Sequence, residues 1–250
     1  MLRVILKHAL HPVIPLSPYL VLKKVVRKVR REVRSLYRHR LDTRRSTYSH
    51  ALLSPPGTPY RYLGDVPVDS LYQRAGCIAA LTEHYINHRF DLLGSGWVQV
   101  KHGVCCRGVE GYRYEMGSTV DADREGHWLE GRINPANVAE ARRIWRLVDE
   151  SYVPIDWHVD VKSGYRWSEK TWYRKTPYAH KLGVDIKVPW ELARMQHLPQ
   201  LSLAYALGER GQQGFAQPYV YLREFRNQVL DFIATNPPRF GVNWHCTMDV

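Results

Sequence analysis

Positive charge is concentrated at one end of this chain of 250 residues. Residues 1–45 contain 13 Lys and Arg against two acidic residues, so this segment carries a net charge of +11. The rest of the chain contains 23 Lys and Arg and 22 acidic residues, so its net charge is only +1. A partner inferred from charge is therefore a partner of the N-terminal arm, residues 1–45, and not of the remaining chain.

Within this arm, apolar residues recur every three to four positions from about Pro18 to Tyr37, with Lys and Arg between them. That spacing predicts a basic amphipathic helix. Such a helix can pack on the following domain with its basic face in water, lie on an anionic membrane surface or contact nucleic acid. Because the rest of the chain is nearly neutral, nucleic acid is the partner that we do not expect.

Targeting and metal-binding patterns are weak in this sequence. Residues 1–22 make a poor signal peptide, because three prolines interrupt the apolar stretch and no small-residue cleavage site follows. No run approaches the roughly 18 apolar residues of a transmembrane helix. Four cysteines are too few for a disulfide framework. His84 and His88 lie one helical turn apart, but no third ligand is evident, so we expect neither a metal nor another cofactor.

Helical patterns dominate the chain after a Pro- and Gly-rich linker at residues 46–67. Apolar periodicity predicts helices over about 68–87, 135–148, 189–207 and 215–235, and Asn134 followed by Pro135 is a typical helix start. The last two helices, joined by a short polar loop, predict an antiparallel hairpin. The expected fold class of residues 68–250 is therefore mainly α, with stacked helical hairpins and long aromatic-rich loops, preceded by the basic amphipathic helix.

Aromatic and charged residues suggest a binding cleft. The chain has 16 Tyr and eight Trp against five Phe, and rings with polar tips suit a wet cleft that stacks on sugars or bases. On a helix starting near Pro189, the set Trp190, Glu191, Arg194 and His197 falls close together. Trp can stack on a sugar ring and Arg can grip a carboxylate, which favours an anionic sugar. The alternative is an internal Glu191–Arg194 ion pair that holds the hairpin together.

Four segments carry a resemblance to a known family. They are HRFDLLGSG at 88–96, PIDWHVDVKSGYRW at 154–167, VDIKVPWELARMQHLPQL at 184–201 and NPPRFGVNWHCTMDV at 236–250. In this order they resemble the N-terminal part of the heparinase II/III-like polysaccharide lyases, over about residues 68–250. The basic arm lies outside the resemblance.

The resemblance implies an incomplete (α/α) toroid of helical hairpins and a substrate that is an acidic, uronate-bearing polysaccharide, cleaved by β-elimination. It also implies that part of the cleft wall lies in two of the segments, at Lys187, Trp190, Glu191, Arg194, His197, Asn243 and Trp244. The catalytic Asn, Tyr and His of the family follow the segment that matches 236–250. We therefore expect the chain to be truncated before a complete catalytic set, with residues 243–250 opening a further helix.

Two functions remain open at this point. The first is the N-terminal domain of a uronate-specific polysaccharide lyase, and the alternative is a non-catalytic carbohydrate-binding helical module. The resemblance implies a periplasmic or cell-envelope location, whereas the poor signal peptide leaves the cytoplasmic side open.

Overall fold

The computed structural model describes residues 18–48, 68–114 and 117–246. The predictions for the signal-peptide region fall largely outside these ranges, as does most of the linker at 46–67 and the end of the helix expected at 243–250. The nine α-helices and β-strands of the described residues are α1 (Pro18–Arg44), α2 (Val68–Gln73), α3 (Ala75–Ile86), β1 (Arg89–Asp91), β2 (Trp97–Gln99), α4 (Val138–Trp145), α5 (Lys187–Ala193), α6 (Leu198–Glu209) and α7 (Pro218–Thr235). The protein divides into two compact units, Met1–Leu41 and Asp42–Val250. None of the described helices has both the length and the apolar character needed to cross a bilayer.

The mainly helical class predicted from the sequence is confirmed, and two of the predicted helices are shorter than expected. Residues 68–87 form α2 and α3, separated at Arg74. The continuous helix predicted over 189–207 is wrong, because the chain breaks between α5 and α6, where Met195 has a φ of +53°. Pro199 supplies the physical reason, since it has no N–H to donate to the carbonyl of residue 195 and therefore fits only in the first turn of α6. Residues 242–244 form one turn of 3₁₀ helix.

Helix α7 lies at the centre of the second unit. It packs beside α6, to which residues 210–217 connect it, and α4 packs against it as well. Leu201, Ala204 and Leu207 of α6 are fully buried in a cluster that also contains Ile78 of α3. The apolar periodicity that predicted these helices thus corresponds to their buried faces.

The aromatic-rich segment at 152–188 is part of the protein interior. Ile155, Trp157 and Val159 are buried in one cluster with Phe90 and Leu192. Four of the eight tryptophans are almost completely buried, namely Trp145, Trp157, Trp167 and Trp172. The expectation that the surplus of Trp serves a wet cleft is therefore wrong for half of these residues, because burial of their large rings stabilises the fold instead.

Gly241 shows how closely this segment packs against the chain near residue 240. Its backbone has φ +82° and ψ 177°, which favours glycine. A β-carbon at this position would overlap the ring of the buried His158. The close approach therefore depends on the missing side chain.

Replacing Gly241 by alanine should destabilise the protein by about 2 kcal/mol or more, because backbone strain and ring overlap add. Chemical denaturation measures this loss. The control is Gly214→Ala, since Gly214 also has positive φ, +89°, but open space around a β-carbon. Equal losses in the two variants would show that contact with His158 is unimportant.

Candidate functional site

A polar and aromatic cleft lies where the β1–β2 hairpin meets α5 and α6. Its volume is about 280 Å³. It is lined by aromatic rings from the α3–β2 region, by the side chains of β1 and by polar residues of α5 and α6, namely Tyr85, Phe90, Asp91, Leu92, Trp97, Glu191, Leu192, Gln196, His197 and Gln200. We call it the hairpin cleft.

Trp97 stands at one edge of the hairpin cleft and forms an aromatic platform. Strand pairing places Trp97 opposite Asp91. The Trp97 ring stacks on the His84 ring, with centroids 3.9 Å apart and an angle of 11° between the planes. Both side chains are half-buried. His84 of α3 therefore covers one face of the Trp97 ring and fixes its position, while part of the ring stays accessible.

A second cleft adjoins the first at Trp97. It has a volume of about 500 Å³ and is lined by Glu83, His84, Asn87, Arg89, Trp97 and Gln99. A third cleft of about 240 Å³ shares Asn87 and Gln99 with the second. The second cleft thus shares lining residues with both of the others, so the three clefts lie next to one another around the end of α3.

A chain of buried hydrogen bonds connects the floors of the first and third clefts. His197 donates from Nε2 to Oε1 of Gln228 at 2.6 Å. Gln228 in turn donates to Oε1 of Glu224 at 2.8 Å, and the same Glu224 oxygen lies 2.7 Å from Nε2 of His88. Burial lowers the pKa of His197 to about 4, against the opposing effect of the hydrogen bond to Gln228. His197 is therefore neutral at pH 7, and its position is fixed.

The rim of the hairpin cleft carries an ion pair. Nη1 of Arg194 lies 2.9 Å from Oε2 of Glu191, and Gln196 donates to the other Glu191 oxygen at 3.3 Å. The ion pair considered from the sequence is thus present. It is partly exposed, so its contribution to stability is small, about 0–1 kcal/mol.

The predicted site residues fall into two groups. Glu191 and His197 line the hairpin cleft, with Arg194 paired at its rim. Trp190 points to the other side, where its Nε1 donates to the carbonyl of Val242 at 2.9 Å. Lys187 is exposed at the start of α5.

Asn243 and Trp244 belong to the second group. Asn243 is buried, and its Nδ2 donates to the carbonyl of Trp157 at 3.0 Å and to Oδ1 of Asn236 at 2.8 Å. Nε1 of Trp244 donates to the carbonyl of Asn236 at 3.1 Å. These bonds hold the segment around 240 in place, whereas the half-buried rings of Trp190 and Trp244 are the accessible part of this group.

Trp97 and Tyr85 were not among the predicted site residues. Trp97 directly follows the turn Gly94-Ser95-Gly96, in which both glycines have positive φ. A turn with two such glycines between short apolar runs is a hairpin signal. In residues 89–99 this signal predicts a hairpin, which would have placed Trp97 opposite residue 91 of β1 and thus near the cleft.

The four segments that carry the family resemblance meet in space. Residues of 88–96 and of 184–201 line the hairpin cleft together. The segments 154–167 and 236–250 are joined by the Asn243–Trp157 hydrogen bond. The Trp190–Val242 hydrogen bond connects the two pairs of segments.

In comparisons with family models, curated proteins and solved structures, nothing matches this chain. The described residues hold no group of three or more His, Cys, Asp and Glu side chains arranged to bind a metal ion. His84 and His88 are separated in their roles, since one stacks on Trp97 and the other pairs with Glu224.

Proposed function

We propose that residues 68–246 form the N-terminal helical domain of a polysaccharide lyase whose substrate contains uronic acid, and that the hairpin cleft binds this polymer. In this proposal, α3, α6 and α7 begin an incomplete (α/α) toroid. The main support for this proposal is that the four motif segments come together in the folded chain. Two of them, about a hundred residues apart in the sequence, line the same cleft.

The chemistry of the cleft suits a sugar chain. The Trp97–His84 pair offers a flat apolar face of the kind that stacks on a pyranose ring. Gln196 and Gln200 supply amide donors and acceptors for hydroxyl groups. A uronate carboxylate that displaces Glu191 would meet the guanidinium of Arg194, the donor that best matches a carboxylate. Because the three clefts are adjacent, a polymer of several sugar units would contact them in succession.

In β-elimination a base removes the C5 proton of the uronate, a C4–C5 double bond forms and O4 leaves with a proton from an acid. Neutralising the carboxylate stabilises the intermediate charge. We assign none of these catalytic roles to residues of the cleft. The role that we propose for this domain is to bind the polymer and orient it.

Replacing Trp97 by alanine should weaken binding of a short oligouronate about tenfold, because the stacking surface is lost. The measurement is a calorimetric titration of the full chain with an alginate or heparosan oligosaccharide, and with a neutral cello-oligosaccharide for comparison. Tyr72→Ala is the control, since Tyr72 is an exposed aromatic residue on α2, outside the cleft. Its affinity should equal that of the unsubstituted protein.

Attraction of a polyanion to the basic arm must be separated from binding in the cleft. Arg31→Gln removes one charge from α1 and should leave the oligouronate affinity almost unchanged. An affinity that responds to Arg31 and not to Trp97 would contradict the proposal. Equal affinity for the oligouronate and for the neutral cello-oligosaccharide would favour the carbohydrate-binding module instead.

A further inference from the structure

Helix α1 displays a continuous apolar stripe to solvent. Six aliphatic side chains of this stripe are between 51% and 66% exposed, namely Leu22, Val25, Val26, Val29, Val33 and Leu36. Contiguous apolar surface of this kind marks an interaction site in soluble proteins. It is independent of the hairpin cleft, because α1 belongs almost entirely to the first compact unit.

Charge is arranged around the stripe in a regular way. At about 100° per residue, the six aliphatic residues fall within an arc of about 100°, from Val25 to Val26. Helix α1 contains ten Lys and Arg and two acidic residues, and most of its cations lie outside the apolar arc. With 27 residues, the helix is about 40 Å long. Over residues 22–36 its surface therefore combines an apolar stripe, about a quarter of the circumference, with Lys and Arg over most of the remainder.

The partner of α1 must both cover the aliphatic stripe and pair with the surrounding Lys and Arg residues. Nucleic acid would pair with the Lys and Arg residues but leave the aliphatic stripe in water. A second copy of α1 would cover the stripe but bring two strongly positive helices side by side. An anionic bilayer covers the stripe with acyl chains, while the long Lys and Arg side chains reach the lipid phosphates.

We propose that α1 docks the protein parallel to an anionic membrane surface, with the aliphatic stripe inserted at the level between head groups and acyl chains. Binding requires both contributions. The apolar stripe supplies insertion, and the cations supply attraction to negatively charged lipid within about one Debye length of the surface.

The test is flotation of the full chain with vesicles of phosphatidylcholine, alone or containing roughly a quarter phosphatidylglycerol. The protein should float with the anionic vesicles only. The double variant Val29→Asn/Val33→Asn leaves the net charge unchanged and should reduce its binding at least about tenfold. Val153→Asn is the matched control, because Val153 is exposed to a similar extent, 53%, in the second unit. It should bind like the unsubstituted protein.

Three results would overturn the proposal. The double variant could bind anionic vesicles as well as the unsubstituted protein, which would mean that charge alone acts. A second result is that neither the unsubstituted protein nor the double variant floats, while both bind duplex RNA or DNA equally. This result would assign the helix to nucleic acid. A third result is that neither protein floats, and that the unsubstituted protein forms a concentration-dependent dimer in sedimentation whereas the double variant does not. This result would assign the stripe to a second copy of the chain.

Discussion

Replacing Asp231 by alanine should destabilise the folded protein by about 4 kcal/mol or more. Asp231 is completely buried in α7. Its Oδ2 accepts hydrogen bonds from the hydroxyl of Tyr152 at 3.0 Å, from the backbone N–H of Ile155 at 2.9 Å and from Nε1 of Trp157 at 3.1 Å. Alanine would leave three buried donors without an acceptor and a cavity beside them. Chemical denaturation monitored by circular dichroism measures the loss.

Asp231→Asn keeps an oxygen acceptor and should therefore cost much less than alanine. Its effect should depend on pH, because burial raises the pKa of Asp231 to about 7, although the three donors oppose this. Between its unfolded pKa near 4 and pH 7, the native state holds a proton that the unfolded state has lost. The contribution of Asp231 to stability therefore falls as the pH rises through this window.

The stability difference between the native protein and Asp231→Asn should accordingly shrink or reverse from pH 4 to pH 7, by up to about 4 kcal/mol. Asp121→Ala is the control for a carboxylate at an exposed position, where a change within about 0.5 kcal/mol is expected. A constant difference between Asp231→Asn and the native protein across this range would show that the carboxyl is ionised throughout.

Replacing Arg166 by methionine should destabilise the protein by about 3–5 kcal/mol. Nε of Arg166 donates to Oδ2 of Asp156 at 2.7 Å, and its two terminal nitrogens donate to the two carboxylate oxygens of Glu169. Asp156 and Glu169 are both buried, at 2% and 5% exposure. Methionine fills similar space but leaves two negative charges in the interior without their cation. Equilibrium unfolding in urea measures the change.

Acid should reduce this difference. Burial opposes ionisation of Glu169, but its hydrogen bonds to Arg166 outweigh this and hold its pKa at about 2. In the native protein Glu169 thus contributes stability above its unfolded pKa near 4.5, and that contribution is lost as the pH falls towards 2. Without Arg166 the buried carboxyl takes up a proton readily, so the variant loses less on acidification.

A matched substitution separates the buried cation from an exposed one. Arg146→Met removes an arginine that pairs with Glu125 at 2.8 Å, with both side chains about half exposed. Its cost should stay below about 1 kcal/mol. If Arg146→Met and Arg166→Met are equally destabilising, the buried network adds nothing beyond ordinary surface pairing.

Local patterns in the sequence predicted the helices well. The 3.6-residue periodicity predicted α7, and the Asn134–Pro135 start is confirmed, since Oδ1 of Asn134 accepts from the N–H of Ala136 at 2.9 Å. The candidate site was predicted only in part. Glu191 and His197 do line a cleft, but Trp97 and Tyr85 on its opposite side were missed. Their position depends on a hairpin that brings 97 against 91 and on helices that are distant in sequence.

The sequence by itself determined the helical class, the basic amphipathic helix and the helix start at Asn134, because these depend on residues within about four positions of one another. Only the tertiary structure decided which polar side chains are buried. Asp231, Gln228 and Glu224 lie on α7, and they bond with Trp157, Tyr85 and His88, which are 74, 143 and 136 positions away in the sequence. Burial of a polar group is favourable only when such a partner is present. That condition is set by packing and not by local sequence.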